Sequence, residues 1–294
     1  MPDIIKGIYP PLTTPFIDDE VSFDKLIENL IKYETKLLSG YVLFGSNGES
    51  VFLTREEKLQ LVRTTREQTN RTIIVGTGLD SIKETISLTN DAAEAGANYA
   101  LVISPSFFKS EMKHHTFLNY YNRIADSVMI PIIIYNVPKF TNVNIEIETI
   151  IELSSHPNII ALKDSTENPT RISEIFPNVN ASFKLIAGTA SILYTGLSCG
   201  AVGGILALAN IAPDQCIQIY TLMREKNFDK ALEIQNRMIP VNRAVTSKFG
   251  VAGLKAAMDM LGYFGGNPRL PLEPLSETHQ IELKMILKKA SLID

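Results

Sequence analysis

The hydrophobic and polar positions of this chain alternate between short apolar runs and longer amphipathic segments. The apolar runs are mostly continuous, which is typical of parallel strands that are covered on both faces. The pattern therefore predicts eight buried strands. They are Gly7–Thr14, Tyr41–Gly45, Thr72–Thr77, Tyr99–Ser104, Pro131–Asn136, Ile159–Asp164, Phe183–Gly188 and Ala201–Leu206.

The segments between these runs have helical periodicity and carry signals for helix ends. Ser22 is placed as the N-cap of a first helix, and Thr54 followed three residues later by Glu57 is the pattern of a capping box. A third helix is expected to begin at a cap at Asp80 and to end before Gly96, a C′ glycine. Helices are thus predicted to alternate with the strands.

Eight strand–helix units within residues 1–226 predict an α/β fold, a (β/α)8 TIM barrel. A doubly wound sheet is the alternative. Residues 227–294 have helical patterns only, and no low-complexity linker precedes them. We expect them to form a C-terminal helical extension that packs on the barrel.

Composition narrows the possible partners and locations. The net charge is −4, and Lys and Arg form no basic stripe, so nucleic acid is not an expected partner. Two cysteines are too few for a disulfide framework and suggest a reducing compartment. The N-terminus lacks the features of a signal or transit peptide, and no apolar run reaches the roughly 18 residues of a membrane span. The chain is therefore expected to be cytoplasmic, without a membrane partner.

Common metal and nucleotide motifs do not occur in the chain. His114 and His115 are adjacent, so on a helix they would point about 100° apart and could not share a metal. The glycines of residues 75–80 do not complete a dinucleotide fingerprint. No metal or organic cofactor is expected.

The sixth predicted strand carries a lysine at its C-terminal end, where barrel enzymes place catalytic groups. Side chains alternate between the two faces of a strand. Lys163 is therefore expected to share the inner face with Ile159 and Ala161. The intervening Ile160 and Leu162 are expected to face the helices, which leaves the amine pointing into the barrel mouth.

Two neighbouring features could act with this lysine. Tyr135 ends the fifth predicted strand in phase with Ile133, and adjacent strands lie about 4.8 Å apart, so its hydroxyl is expected near the Lys163 amine. The second strand leads into "GSNGES", residues 45–50, which exposes backbone N–H groups and a hydroxyl to a small anion.

An amine, a phenol and an anion-binding loop suit Schiff-base chemistry. A neutral amine attacks a ketone, and the resulting iminium accepts electrons while a C–C bond one carbon away breaks or forms. A free lysine has a pKa of about 10.4, and burial of a lysine amine lowers it. A nearby hydroxyl could move protons. Position alone leaves an alternative for each feature. Lys163 could be a structural lysine paired with a carboxylate, and Tyr135 could be a core tyrosine. Residues 45–50 could be a simple turn.

Three motifs in this order resemble the dihydrodipicolinate synthase / N-acetylneuraminate lyase family. They are "GSNGES" after the second strand, "YNVP" (residues 135–138) after the fifth, and "LKDST" (residues 162–166) at the sixth. The resemblance extends over nearly the whole chain. It implies a lysine-dependent, pyruvate-type aldolase or lyase on a (β/α)8 barrel.

The resemblance also implies roles for individual residues. Lys163 would form the Schiff base with pyruvate and Tyr135 would be the proton shuttle. Ser46 and Asn47 would hold the carboxylate of the 2-oxo acid, with the Ser46 hydroxyl also part of the catalytic group. Two residues of the eighth strand would line the pocket, namely Gly204 and Ile205.

Two positions depart from the family pattern. Synthases of the family place an arginine two residues after the proline of "YNVP" to hold the second substrate's carboxylate, and this chain has Phe140 there. The family usually has a tyrosine after the fourth strand that completes a hydroxyl relay, and this chain has Phe107 and Phe108. The relay would be shorter, or pass through Ser106 or water.

Within the family, the motifs are most similar to those of 4-hydroxy-2-oxoglutarate aldolases, with "ALKDST" followed by Thr170 and Arg171. The expected reaction cleaves a 4-hydroxy-2-oxo acid to pyruvate and an aldehyde such as glyoxylate. One alternative is 4-hydroxy-tetrahydrodipicolinate synthase, disfavoured by Phe140, and another is a non-catalytic 2-oxo acid sensor. Relatives are commonly dimers of dimers, so this chain is expected to form a homo-oligomer, a dimer or a tetramer, and Phe107 and Phe108 would suit an apolar contact between subunits.

Overall fold

The computed structural model describes residues 5–294, and eight parallel strands form its central sheet. Their order around the sheet is β1-β8-β7-β6-β5-β4-β3-β2, so each strand neighbours the next one along the chain. The strands are β1 Gly7–Tyr9, β2 Gly40–Leu43, β3 Thr72–Gly76, β4 Tyr99–Ile103, β5 Ile132–Asn136, β6 Ile159–Asp164, β7 Lys184–Ala187 and β8 Gly203–Ile205.

The sheet closes where the segment after β1 meets β2. Leu12 N–H donates to the Val42 carbonyl at 2.8 Å, and Val42 N–H donates to the Pro10 carbonyl at 3.0 Å. β1 is shorter than predicted because Pro10 and Pro11 have no N–H to donate to a neighbouring strand. Closure confirms the predicted (β/α)8 barrel and shows that the alternative of a doubly wound sheet is wrong.

Helices surround this barrel, and a two-stranded hairpin, Phe16–Ile17 with Glu20–Val21, follows β1. None of the helices between residues 5 and 294 combines the length and the apolar character of a membrane span. The helices are α1 Phe23–Glu34, α2 Arg55–Gln68, α3 Ile82–Glu94, α4 His114–Ala125, α5 Ile147–Leu153, α6 Pro169–Ile175, α7 Leu193–Ser198, α8 Pro213–Arg224, α9 Phe228–Arg243, α10 Gly250–Met260 and α11 Glu277–Lys289.

Several predicted helix ends are confirmed. Thr54 N–H donates to the Glu57 carboxylate at 2.7 Å and Glu57 N–H donates to Thr54 Oγ1 at 3.2 Å, which completes the capping box of α2. Ser22 is the N-cap residue of α1, although its side chain accepts no capping hydrogen bond. Gly96 follows α3 with a φ of 114°, a conformation that glycine adopts easily.

The cap of α3 differs from the prediction. Ser81, rather than Asp80, is the N-cap, and its Oγ accepts from Glu84 N–H at 3.3 Å. The Asp80 carboxylate instead accepts from the N–H groups of Ser106 (2.7 Å) and Phe107 (2.9 Å). Asp80 therefore holds the loop that follows β4. Its carboxylate accepts two hydrogen bonds from backbone amides of that loop instead of capping α3.

An irregularity between β5 and β6 changes which residues face the interior. Ile132 pairs with Ile159, but Ile133 pairs with Ala161, so Ile160 is skipped. An extra residue of this kind reverses the alternation of side chains below it. Ile159 packs in the outer layer and Ile160 against the interior cluster, so the predicted faces of these two residues were wrong. From Ala161 onward the predicted alternation is present.

The residues after 226 form α9, a five-residue π-helical turn at Ala244–Lys248, α10 and α11. Their apolar side chains belong to the same cluster as the outer faces of the barrel. Gln235 Nε2 donates to the Ala190 carbonyl at 2.8 Å, and Asn242 Nδ2 donates to Thr189 Oγ1 at 3.0 Å. The helical extension thus contacts the loop after β7. The division of the chain into a barrel of residues 1–226 and an extension of residues 227–294 that packs on it stays a prediction.

Candidate active site

The ends of β5 and β6 place Tyr135 and Lys163 side by side. The two residues are register partners in adjacent parallel strands, and both side chains are buried. Lys163 Nζ lies 4.0 Å from the centroid of the Tyr135 ring, over its face. Tyr135 belongs to the apolar cluster inside the barrel, together with Ile133 and Ala161. The backbone register therefore sets the spacing between the amine and the phenol.

The phenol also faces the loop after β2. Tyr135 Oη lies 3.5 Å from Ser46 Oγ, at the outer limit of a hydrogen bond. Ser46–Gly48 and Ser50–Phe52 are two short helical turns joined at Glu49. The first N–H groups of such a turn have no acceptor inside it. The loop can therefore offer amides as well as the hydroxyl to an anion beside Tyr135.

A buried ion pair holds this loop from outside the barrel, and sequence analysis missed it. Glu49 Oε1 lies 2.6 Å from Lys255 Nζ on α10, and both side chains are almost completely inaccessible to water, at 1% and 0% exposure. Glu49 Oε2 accepts from Arg269 N–H at 2.8 Å. The only signal in the sequence is a lysine among the apolar residues of α10, with nothing to indicate its partner.

A second polar group lies one position beyond the tyrosine–lysine pair, on the outer side of the strands. Asp164 Oδ2 accepts from Arg171 Nε at 3.1 Å and from Asn136 Nδ2 at 3.4 Å. Arg171 Nη2 donates to the Ile145 carbonyl at 2.8 Å, and Ile145 N–H donates to Asn136 Oδ1 at 3.1 Å. These four residues form a closed ring of hydrogen bonds that ties the ends of β5 and β6 together.

The two pocket residues expected on β8 face opposite ways. Ile205 is fully buried in the interior cluster that contains Tyr135. A Cβ added at Gly204 would lie 2.8 Å from the side chain of Leu206, which belongs to the outer apolar layer. Ile205 can therefore contribute a side chain to the pocket, whereas Gly204 can contribute only backbone.

Phe140 lies in a single helical turn, Pro138–Thr141, just beyond the end of β5. Phe140 is 57% exposed, and Lys139 Nζ lies 5.5 Å from the centroid of its ring. Lys139 also donates to the Thr246 carbonyl in the π-helical turn at 2.9 Å. The mouth next to Tyr135 thus carries an exposed aromatic ring and a cation that is already hydrogen-bonded.

Phe107 and Phe108 follow β4 and are largely exposed, at 78% and 68%. Their rings meet edge to face with centroids 5.0 Å apart. Neither has a hydroxyl, so neither can extend the contact between Ser46 and Tyr135. The structure records no hydrogen bond between Ser106 and that pair. These residues form an apolar projection from the barrel.

The adjacent histidines lie near the start of α4 rather than at the barrel mouth. His114 Nδ1 lies 2.9 Å from Thr149 Oγ1, and its Nε2 lies 3.3 Å from the Glu152 carboxylate on α5. His115 is exposed. Within residues 5–294, no three His, Cys, Asp or Glu side chains are grouped as metal ligands. The contacts of His114 are therefore those of a residue joining two helices.

A (β/α)8 barrel with a buried lysine beside a tyrosine at its strand ends carries the groups that Schiff-base chemistry requires, at the end of the barrel where enzymes of this fold place their active sites. The model of the Dihydrodipicolinate synthetase family matches residues 4–290, so the chain belongs to this family. Members of the family are aldolases and lyases, and this protein is an enzyme of that kind. The comparison confirms the resemblance inferred from the three motifs.

Similar curated proteins have two different names. The 4-hydroxy-tetrahydrodipicolinate synthase of Methanothrix thermoacetophila is 31% identical over 290 residues, 98% of each chain. Five further relatives with the same name are 31 to 34% identical. A protein of Emericella nidulans named "Probable 4-hydroxy-2-oxoglutarate aldolase, mitochondrial" is 34% identical over 285 residues, 93% of this chain and 91% of its own.

Solved structures share the complete fold. The chloride-inhibited dihydrodipicolinate synthase of Acinetobacter baumannii, determined in complex with pyruvate, superimposes with a TM-score of 0.93 at 28% identity. The superposition covers 99% of this chain and 100% of that one. The barrel and the helices that follow it are therefore arranged as in an enzyme known to bind pyruvate.

Proposed function

We propose that the enzyme binds pyruvate as a Schiff base on Lys163. The observation that supports this most directly is a buried lysine amine 4.0 Å from the Tyr135 ring at the ends of two barrel strands. The neutral amine attacks the ketone carbon, water leaves, and an iminium forms. Loss of a proton from the methyl group gives an enamine, which attacks the carbonyl carbon of an aldehyde. In the reverse direction the iminium of the 4-hydroxy-2-oxo acid accepts the electrons of the breaking C–C bond, the 4-hydroxyl loses its proton, and an aldehyde and the enamine of pyruvate are formed.

Tyr135 is proposed to move the proton of the aldol hydroxyl. The 3.5 Å separation from Ser46 Oγ is long for a hydrogen bond, and such contacts in free enzymes commonly shorten when substrate binds. Phe107 and Phe108 cannot carry a proton, so the relay in this protein is proposed to be limited to Tyr135, Ser46 and water. Lys163, Tyr135 and Ser46 are then the groups that touch the reacting atoms.

The pyruvate carboxylate is proposed to lie at the turn Ser46–Gly48. The Ser46 hydroxyl at the start of this turn lies 3.5 Å from the Tyr135 hydroxyl, and Asn47 is the next position of the same turn. The Acinetobacter enzyme with the same fold was determined with pyruvate, which supports a pyruvate site in this barrel. Ile205 is proposed to line the opposite wall, with Gly204 contributing backbone only.

The names of the relatives favour a synthase over the aldolase expected from the motifs. Six similar curated proteins are named 4-hydroxy-tetrahydrodipicolinate synthase, and one is named a 4-hydroxy-2-oxoglutarate aldolase. We therefore place condensation of pyruvate with aspartate semialdehyde first among the candidate reactions. The sensor alternative has no support from the relatives, because all of these are named as enzymes.

One observation favours cleavage of 4-hydroxy-2-oxoglutarate as a second candidate. Phe140 occupies the position where synthases of the family place an arginine, and an aromatic ring cannot make two hydrogen bonds to a carboxylate. The neighbouring Lys139 is a cation, but it donates to the Thr246 carbonyl. A second carboxylate would therefore have to displace that contact or be held elsewhere.

Two measurements test these proposals in order. Borohydride reduction with pyruvate, followed by mass spectrometry, should add the reduced adduct to the peptide that contains Lys163, and a peptide without added mass would contradict the Schiff base. Coupled assays should then compare aspartate semialdehyde plus pyruvate with 4-hydroxy-2-oxoglutarate at matched concentrations. Faster turnover of 4-hydroxy-2-oxoglutarate would reverse our ranking of the two reactions.

Three further properties are proposed from the sequence and its resemblance. The covalent adduct on Lys163 makes a separate organic cofactor or metal unnecessary for the proposed steps. Assembly as a dimer or tetramer would give the exposed Phe107 and Phe108 an apolar partner surface. A cytoplasmic location stays a prediction. Sedimentation of the purified enzyme would give its assembly state.

A further inference from the structure

Lys255 on α10 is a fully buried lysine that the proposed reaction does not use. Its Nζ lies 2.6 Å from Glu49 Oε1 and donates to the Asn267 carbonyl at 2.9 Å. The same atom lies 4.5 Å from the centroid of the Phe16 ring. Its partner Glu49 lies three positions after Ser46.

Burying two charges needs a compensating arrangement. Burial lowers the pKa of Lys255 below its ordinary value, and the Glu49 carboxylate opposes that shift. Apolar residues of similar volume often stabilise a protein as well as a buried ion pair does, so such a pair is weak evidence for a role in stability. The specific position of Glu49 suggests a different role for this one.

Glu49 lies at the bend between the two helical turns of the loop after β2. Its backbone has a φ of 56° and a ψ of 39°, in the left-handed region that residues other than glycine rarely adopt. Glu49 N–H donates to the Ser46 carbonyl at 3.2 Å, and Phe52 N–H donates to the Glu49 carbonyl at 2.9 Å. The residue therefore joins the two turns, and its side chain holds an unfavourable backbone conformation in place.

The helical extension contacts the same loop at a second point. Arg269 N–H donates to Glu49 Oε2 at 2.8 Å, and Arg269 Nη1 donates to the Phe52 carbonyl at 2.8 Å. Its Nη2 lies 2.7 Å from the Glu57 carboxylate at the start of α2. Two cationic residues from beyond the barrel thus hold the loop on both sides of its bend.

We infer that Lys255 is a positioning residue for substrate binding. Acting through Glu49, it keeps the turn Ser46–Gly48 in the shape that receives the carboxylate of the 2-oxo acid. The helical extension thereby sets the affinity for pyruvate without touching it. This inference rests on the proposed function, because it assumes that the carboxylate binds at this turn.

The test measures how borohydride trapping on Lys163 depends on pyruvate concentration in the full-length enzyme. In K255M we expect the half-saturating pyruvate concentration to rise at least about tenfold, a loss comparable to that of one hydrogen bond to a charged group. The adduct formed at saturating pyruvate should be unchanged. Trapping of acetone should also be unchanged, because acetone is a ketone without a carboxylate and so has no group that the turn could bind.

Two additional variants keep the test decisive. In K255M the Glu49 charge is left buried and unpaired, so E49Q/K255M removes both charges and should fold while still requiring more pyruvate. M238A truncates a buried side chain of α9 in the same extension, away from the loop, and should destabilise the protein without changing the pyruvate dependence. It separates loss of positioning from general loss of stability.

The possible results have distinct meanings. Absence of a pyruvate adduct in the unmodified enzyme contradicts the proposed function itself. An adduct in that enzyme, with the same half-saturation in K255M and in E49Q/K255M, contradicts the inference about Lys255 alone. A parallel decline of acetone trapping, or an equal shift in M238A, also overturns it, because the effect would then not depend on the carboxylate or on the Glu49 contact.

Discussion

The two sides of the candidate site are held in different ways. Tyr135 and Lys163 lie opposite each other in adjacent strands, so backbone hydrogen bonds of the sheet fix their separation. Ser46 lies on a loop whose bend carries Glu49, and the Glu49 side chain contacts Lys255 and Arg269. One side follows from local strand geometry, and the other depends on segments that are distant in the sequence.

Because of this difference, we expect the strand ends to serve the covalent step and the loop to serve substrate binding. A strand pair is rigid and tolerates little variation in spacing, which suits a covalent step that requires reacting atoms in a defined geometry. The conformation of a loop that is held by side chains can change when those side chains are substituted, while the sheet stays intact. We therefore expect substitutions at the strand ends to abolish chemistry, and substitutions around the loop to alter binding.

The largest effect is expected at Lys163. K163M removes the amine proposed to form the Schiff base, and loss of a covalent nucleophile of this kind costs roughly four orders of magnitude in kcat or more. The steady-state rate of pyruvate formation or consumption measures it. K58M is the control, since Lys58 is a second buried lysine, on α2, outside the site, and its loss should leave turnover near the original rate. Turnover of K163M within tenfold of the original rate would contradict the mechanism.

Tyr135 is expected to affect turnover more than adduct formation. Y135F removes the hydroxyl but keeps the ring, so kcat should fall by about 10²- to 10⁴-fold, the usual contribution of a positioned proton-transfer group. Lys163 should still be trapped with pyruvate. Y121F is the matched control, because Tyr121 is a buried tyrosine of α4 that donates to the Val102 carbonyl outside the site. An unchanged kcat in Y135F would assign the proton transfer to another group.

The ring of hydrogen bonds beside the strand ends is expected to contribute to the unfolding free energy of the protein. R171M leaves the Asp164 carboxylate buried without its cation, and removing one partner of a buried pair costs about 3–5 kcal/mol of unfolding free energy. Urea denaturation measures this loss. K36M breaks the more exposed pair with Asp214 and should cost no more than about 1 kcal/mol. Equal losses in the two variants would show that the ring does not hold the strand ends.

The smallest effect is expected at Glu57, where the helical extension contacts the start of α2. The hydrogen bond from Arg269 lowers the pKa of the Glu57 carboxyl below its ordinary value. A lowered pKa stabilises the fold above the unfolded value of about 4.3, and this contribution disappears as the pH falls through the folded value. E57Q retains a residue suited to the capping box but loses the charge.

Urea unfolding of the original enzyme and of E57Q at a series of pH values checks this prediction. The original enzyme should be more stable by about 1 kcal/mol at neutral pH, in the range of an ion pair with access to water. The difference should shrink towards zero as the pH falls below about 4. A difference that stays constant or grows in acid would show that the ion pair with Arg269 does not contribute in this way.

Much of the fold and the pairing of Tyr135 with Lys163 could be predicted because they depend on local patterns. Continuous apolar runs marked all eight strands, and side-chain alternation placed Tyr135 and Lys163 inside the barrel. Alternation failed at Ile159 and Ile160, because the skipped residue between β5 and β6 reverses the faces and leaves no local sequence signal. The cap of α3 was misplaced for a similar reason, since the partners of Asp80 lie in the next strand–loop unit.

The groups that hold the site could not be predicted from one sequence. Lys255 and Glu49 are separated by most of the chain, and nothing in either segment indicates the other. Arg171 was noted only for its resemblance to relatives, and its contact with Asp164 depends on how α6 follows β6. A candidate reactive residue can be recognised in the sequence by its position at the end of a predicted strand. A residue that supports a loop from a distant segment can be recognised only from the three-dimensional structure.

The contacts of Lys255 and Arg269 with the loop after β2 have a consequence for biosynthesis. The eight strands are complete at residue 205, but the loop acquires both of its anchors only when residue 269 is available. A chain translated only as far as the end of its sheet therefore contains Tyr135 and Lys163 but neither residue that anchors the loop. Both anchors are translated later, one on α10 and one in the segment that follows it.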